Sequence, residues 1–195
     1  MVIAHKRFYG LVLTGGKSKR MGQDKALLKI NEKSQAAFAF DLLSEFCAKV
    51  FVSCRPDQAD MPGRKDFPHI LDKLGYADIG PLAGILSAME EFPRVPWIVL
   101  GCDLPFVTKY TLEKLIANQN PGKLATAYIS SHDGLPEPLC AIYEPAARQN
   151  ILNFVKQKIH CPRKIMINSE TELITQDDLK SLENINTPED LRKYV

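Results

Sequence analysis

No stretch of this sequence is apolar for long enough to cross a membrane, and the opening MVIAHKRFYGLVLTGG lacks the continuous apolar run of a signal peptide. A soluble protein of the cytoplasm is therefore expected. Net charge is nearly absent as well. Twenty-five Lys and Arg against twenty-three Asp and Glu leave +2, too balanced to recruit nucleic acid or a membrane surface by bulk electrostatics. Any anion site must be local. Cysteine is sparse: Cys47, Cys54, Cys102, Cys140 and Cys161 make an odd count with no CxxC pair, which argues against a zinc site and a disulfide framework. His5, His69, His132 and His160 lack metal-ligand spacing. Repeats, low-complexity tracts and linkers are also missing. What remains is a chain of 195 residues, 45% hydrophobic, sufficient for one core. One domain over residues 1–195, monomeric, is the expectation.

Short apolar runs punctuate the chain: LVL at 11–13, VFVSC at 50–54, WIVLGC at 97–102, LATAYI at 124–129 and LCAIY at 139–143. They read as buried strands. Between them, Phe38, Leu42, Leu43 and Phe46 mark a helix face opened by Ser34, and Leu82, Ile85, Leu86 and Met89 mark another after Gly80-Pro81. A third helix runs from Thr108 through Leu112, Leu115 and Ile116. This alternation predicts an α/β fold of βαβ units, a mostly parallel sheet with helices on both faces. Ligands then belong beyond the carboxyl ends of the strands. Segments rich in Pro and Gly near 56–68, 120–122 and 133–138 read as surface loops.

After the first strand stands LTGGKSKRMGQDK at 13–25, in which Gly16-Lys17-Ser18 matches the end of a P-loop. The P-loop pattern G-x-x-x-x-G-K-[ST] also needs a glycine five positions before Gly16. That position is Leu11, inside the strand, so the match fails on spacing. The alternative is a glycine-rich turn whose N–H groups face phosphates while Arg20 and Lys25 supply charge. A solvated basic loop with turn glycines explains the same residues in isolation.

The remaining motifs are what distinguish these. LTGGKSKRMGQDKALL resembles the LAGGxSxRMGxDKxLL signature of the nucleotidyltransferases that make the guanine dinucleotide form of the molybdenum cofactor. GPLAGILSAM at 80–89 resembles that family's GPLAG helix, GCDLPFV at 101–107 its CDxP motif, and NINTPEDL at 184–191 its closing NxNTPxDL. The four occur in the family's order and span residues 11–191. The resemblance implies a three-layer Rossmann-like fold of the nucleotide-diphospho-sugar transferase type. It also implies transfer of GMP from GTP to molybdenum-bearing molybdopterin, with magnesium as cofactor and pyrophosphate released. Proteins of molybdenum cofactor biosynthesis or molybdoenzyme maturation are the partners it suggests.

Such a reaction asks for charge stabilisation more than for covalent chemistry, because two anions meet while charge grows on pyrophosphate. Arg20 and Lys25 are the cations expected at the phosphates, with Leu13, Thr14, Gly15 and Gly16 bringing the backbone close. Asp103, at the end of an apolar run, is the expected magnesium ligand, since this hard ion is held by one or two carboxylates plus phosphate oxygens. The competing role for Asp103, capping the next helix, suits Thr108 better. Asp72 matches a family aspartate near the nucleotide, with Asp78 as a competitor. Ser53 falls where the family carries an asparagine, and a hydroxyl cannot reproduce the amide's paired donor and acceptor. Thr14 replaces the usual alanine, which leaves it a packing role. With its second glycine in the first loop and its GPLAG, the chain resembles the guanine branch of the family more than its cytidine branch, and that resemblance implies guanine.

On the acceptor side Lys156, Lys158, Arg163 and Lys164 cluster around Cys161-Pro162 and resemble the segment that contacts the molybdopterin phosphate. Asn184 and Asn186 match asparagines of the same side. Ordinary explanations compete: a solvated helix end, and an N-terminal cap at Thr187-Pro188. Pro136-Glu137-Pro138-Leu139 resembles a family stretch near the acceptor. Cys102 and Trp97 read as core. A cytidylyl- or sugar-phosphate transferase of the same fold, and a nucleotide-binding module without transfer activity, are the alternative functions.

Overall fold

The computed structural model describes residues 7–14, 25–30 and 33–185. Strand β1 (Tyr9–Leu13) is followed, after a short 3₁₀ turn at Lys25–Leu27, by the two-residue strands β2 (Lys29–Ile30) and β3 (Lys33–Ser34), which pair antiparallel. Helix α1 (Gln35–Ser44) starts where Ser34, in extended conformation, accepts a hydrogen bond from Ala37 N. Then come β4 (Lys49–Cys54), β5 (His69–Leu71), α2 (Pro81–Glu91), β6 (Trp97–Gly101) and α3 (Lys109–Ala117). Thr108 caps α3, its hydroxyl accepting from Thr111 N while Thr111 Oγ1 accepts from Thr108 N. The chain closes with β7 (Ala125–Ile129), β8 (Pro136–Tyr143), α4 (Ala147–Lys156), α5 (Pro162–Ile167) and β9 (Thr171–Ile174).

Seven strands form one sheet in the order β5-β4-β1-β6-β8-β7-β9. Only β8 runs against the others, antiparallel to both β6 and β7, while β9 is parallel to β7. Alternating side chains feed two cores. On one face Val12, Val52, Ile98 and Leu100 pack with Leu43 of α1 and Leu112 and Leu115 of α3. On the other, Leu11, Val99 and Ala141 pack with Leu82, Ile85 and Leu86 of α2, Ile151 of α4 and Ile165 of α5. Each fully buried Leu or Ile contributes about 1.5–3 kcal/mol. Trp97 lies in the second core with Tyr9, Phe51 and Phe92 packed around it. No helix among the described residues is long and apolar enough to cross a membrane.

Two segments read as surface loops depart from that expectation. The proline-containing stretch at 136–138 is the first part of β8. Prolines are tolerated there because β6 pairs with β8 only from Cys140 onward, so the strand has β7 alone as a neighbour at its start. The loop between β4 and β5 contains Arg64, whose side chain is 0% exposed. Its buried position is paid for by hydrogen bonds to the end of β1, described below.

Candidate functional site

The parallel strands β1, β4, β5 and β6 deliver their carboxyl ends to one edge of the sheet. Leu13 is in register with Ser53 on one side and Gly101 on the other. Beyond that row the chains stay tied: Thr14 N donates to Ser53 O at 3.2 Å, Cys102 N to Leu13 O at 3.2 Å, and Asp72 N to Cys54 O at 2.9 Å. Thr14, Ser53, Asp72 and Asp103 are thus brought to a common edge by backbone pairing alone.

Ser53 is 2% exposed and donates from Oγ to Asp72 Oδ1 at 3.0 Å. Burial raises the Asp72 carboxyl above its ordinary value, opposed by this hydrogen bond and by the charge of Arg55. The serine therefore orients a half-buried carboxylate. Asp78 is placed differently: it is exposed, with φ of 60°, two residues before Gly80. Between Cys54 and the cations Arg55 and Arg64 the dominant influence is burial, which pushes the thiol up to about 11 and keeps it protonated.

Helix α2 reaches this edge closely. Gly80, at φ 64°, turns the chain into Pro81, the first helical residue. A Cβ on Gly84 would lie 3.0 Å from both Leu13 Cδ2 and Ser53 Cβ, and nearer still to Ser53 Oγ. The glycine of GPLAG is thus needed for packing against the serine that orients Asp72. Gly84→Ala is expected to destabilise the protein by about 1–3 kcal/mol through overpacking. Thermal denaturation checks this: a midpoint lower by at least about 2 °C is expected at this size, and an unchanged midpoint contradicts the packing argument.

Asp103 follows β6, and its Oδ1 would be 2.7 Å from a Cβ on Gly101, so the glycine leaves room for the carboxylate at the strand end. Its carbonyl oxygen accepts from Ile185 N at 3.0 Å, which brings exposed Asn184 beside the same strand end. Among the described residues no group of three or more His, Cys, Asp or Glu side chains could hold a metal. A cation at Asp103 would take its other ligand oxygens from outside the described carboxylates, as magnesium does when it is shared with phosphates.

The basic residues of the acceptor segment are separated. Lys156 ends α4, Lys158 lies in the turn after it, and Lys164 is exposed on α5. Arg163 alone is drawn to the sheet edge, donating to Glu137 Oε2 at 3.0 Å and to Asp133 Oδ2 at 2.8 Å. Glu137 belongs to the start of β8, which its antiparallel direction places at the edge where the parallel strands end. Lys25 opens the 3₁₀ turn that leads to buried Ala26. Gly15, Gly16, Arg20, Asn186 and the cap expected at Thr187 lie outside the described residues.

Sequence reading missed Arg64. Its Nε donates to Thr14 Oγ1 at 3.0 Å and its Nη2 to Thr14 O at 2.7 Å. Thr14 Oγ1 in turn donates to Ser53 O at 2.8 Å. The hydroxyl at position 14 is a hydrogen-bonding junction, so the expected packing role is too small a description of it.

Residues 10–172 match the family model described as the MobA-like NTP transferase domain. The chain belongs to this MobA-like family. It is 30% identical over 198 residues to the Probable molybdenum cofactor guanylyltransferase of Natranaerobius thermophilus, covering 95% of each chain. It is 39% identical over 188 residues to the Molybdenum cofactor biosynthesis bifunctional protein of Synechocystis sp. That match covers 96% of this chain but spans about half, 54%, of the relative. Among solved structures, the Molybdopterin-guanine dinucleotide biosynthesis protein A of Archaeoglobus fulgidus superposes with a TM-score of 0.76 at 26% identity, covering 95% of this chain and 96% of the other. The mixed sheet with helices on both faces is accordingly the nucleotide-diphospho-sugar transferase-like fold of MobA-like proteins, and the chain is a nucleotidyltransferase.

Proposed function

We propose that this MobA-like chain transfers GMP from GTP to the terminal phosphate of molybdenum-bearing molybdopterin. An oxygen of the acceptor phosphate attacks the α-phosphorus of GTP, a new P–O bond forms, the bond to the β-phosphate bridge breaks, and pyrophosphate leaves. The nucleophile is already anionic, so no general base is needed. The observation that carries the reading is the convergence of Thr14, Ser53, Asp72 and Asp103 at the carboxyl edge of the sheet, with Arg163 reaching the same edge from the β8 side.

In this assignment Leu13 and Thr14 bring the chain to Gly15 and Gly16, which receive the nucleotide's phosphates, Arg20 and Lys25 neutralise them, and Asp72, held by Ser53, faces the nucleoside. Arg163, Asn184 and Asn186 receive the acceptor. Glu137 and Asp133 hold the Arg163 guanidinium in a fixed orientation before the acceptor arrives. Asp103 is the residue that would hold magnesium, which when bound offsets phosphate charge and withdraws electron density from the reacting phosphorus. Among the described residues Asp103 is the carboxylate at the end of β6, which suits an ion that shares substrate oxygens.

Incubation with GTP, magnesium and molybdenum-molybdopterin tests this directly. Pyrophosphate release should depend on the acceptor. Release of phosphate from GTP at the same rate without acceptor would point to a hydrolase and contradict the assignment.

A further inference from the structure

The loop between β4 and β5 contains the turn Met61-Pro62-Gly63-Arg64, closed by hydrogen bonds from Arg64 N and Lys65 N to Met61 O, each 3.2 Å. This turn touches both stems of the glycine-rich loop. At one stem Arg64, 0% exposed, grips Thr14 through both its hydroxyl and its carbonyl oxygen. At the other, Gly63 takes φ of 80° and lies so close to Leu27 that a Cβ would be 2.6 Å from Leu27 Cδ2 and 3.7 Å from Ala26 O. Thr14 is the residue before Gly15-Gly16, and Ala26 and Leu27 follow Lys25.

We propose that Arg64 is a positioning residue for nucleotide binding. With Thr14 as its partner it fixes the end of β1, from which the chain runs on to Gly15-Gly16. The inference rests on the proposed nucleotide site. A buried guanidinium is retained only where its hydrogen bonds offset the loss of water. Here the acceptors belong to Thr14, the residue that follows β1 and precedes Gly15-Gly16. Thr14 Oγ1 has its proton committed to Ser53 O, which leaves its lone pairs to Arg64 Nε. Arg64, Thr14 and Ser53 therefore form one chain of hydrogen bonds that ends at Asp72 through the Ser53 hydroxyl. Alanine at position 14, the residue common in the resembling family, cannot make this junction. The clamp depends on a pair of residues 50 positions apart in this chain.

The test compares wild type with Thr14→Val, which removes the hydroxyl at nearly constant volume, Thr14→Ser, which keeps it, and Arg64→Lys, which keeps charge but loses the fork. Wild-type protein is first titrated with each of the four nucleoside triphosphates by calorimetry, and the variants are measured with the one bound most tightly. Thr14→Val and Arg64→Lys should weaken that binding about tenfold or more, on the scale of the roughly hundredfold loss of rate that a misplacement of about 1 Å can cause. The acceptor KM should stay within about twofold, and Thr14→Ser should bind as wild type does. A lowered Tm with nucleotide Kd unchanged in the folded variants shows a structural role only and overturns the inference. Equal changes in nucleotide Kd and acceptor KM, or failure of Thr14→Ser to restore binding, also overturn it. A wild-type preference for another base contradicts the guanine assignment alone, and the same variants then decide the inference with that nucleotide. No binding of any triphosphate overturns both.

Discussion

Asp103→Asn is expected to lower kcat for guanylyl transfer by about a hundredfold to a thousandfold, the usual cost of deleting one transition-state charge interaction. Asparagine preserves the size of the side chain and the carbonyl that accepts from Ile185 N, so the strand end and its link to the C-terminal segment should persist. What is lost is negative charge at the end of β6. The magnesium concentration giving half-maximal rate should rise, and the thermal midpoint should remain near that of wild type. Steady-state kinetics over a magnesium series with a melting curve separate these effects. A variant within about twofold of wild type contradicts the metal assignment.

The second large effect belongs to Lys25. Lys25→Ala should lower kcat/KM for GTP by about tenfold to a thousandfold, because one cation serves both the bound triphosphate and the charge that grows on pyrophosphate. The backbone at this position is anchored by fully buried Ala26 and by the hydrogen bond from Gln35 N to Leu28 O at 2.9 Å. Lys17→Ala is the matched control. Lys17 occupies the lysine position of a P-loop, but the glycine such a loop needs is replaced by Leu11 in the middle of β1. Lys17→Ala should therefore leave kcat/KM within about twofold. If Lys17 were the sensitive position and Lys25 the silent one, the loop would bind phosphate in the P-loop manner after all.

Much of the architecture was legible because it is written in local periodicity. The runs at 11–13, 50–54, 97–102 and 124–129 each became a strand, and Ser34, Gly80-Pro81 and Thr108 each stand at a helix start. Strand direction was not legible for LCAIY, since an apolar run has the same pattern read from either end. The short α5 and β9 carry too few residues for a period to emerge. Asp103 closes an apolar run, which puts a carboxylate at a strand end in this fold, whereas Asp72 stood out by its match to a family aspartate; both lie where parallel strands end.

Arg64 shows where local reading stops. In MPGRKD it stands between turn formers and charges, for which solvation is the default expectation. Its burial depends on Thr14, distant in sequence, and no pattern within the loop announces that partner. The same non-locality hid the purpose of Ser53. Its substitution for the family's asparagine reads as a lost contact, whereas folded beside Gly84 and Asp72 its hydroxyl holds a carboxylate.

Guanylyl transfer to a molybdopterin phosphate is decided by one competition experiment. The protein is given equal amounts of GTP, CTP, ATP and UTP with magnesium and molybdenum-molybdopterin, and the dinucleotide products are identified by mass spectrometry. The guanine dinucleotide should be the dominant product, with one pyrophosphate released for each molecule formed. A predominantly cytosine product, or nucleotide consumption without any dinucleotide, would contradict it.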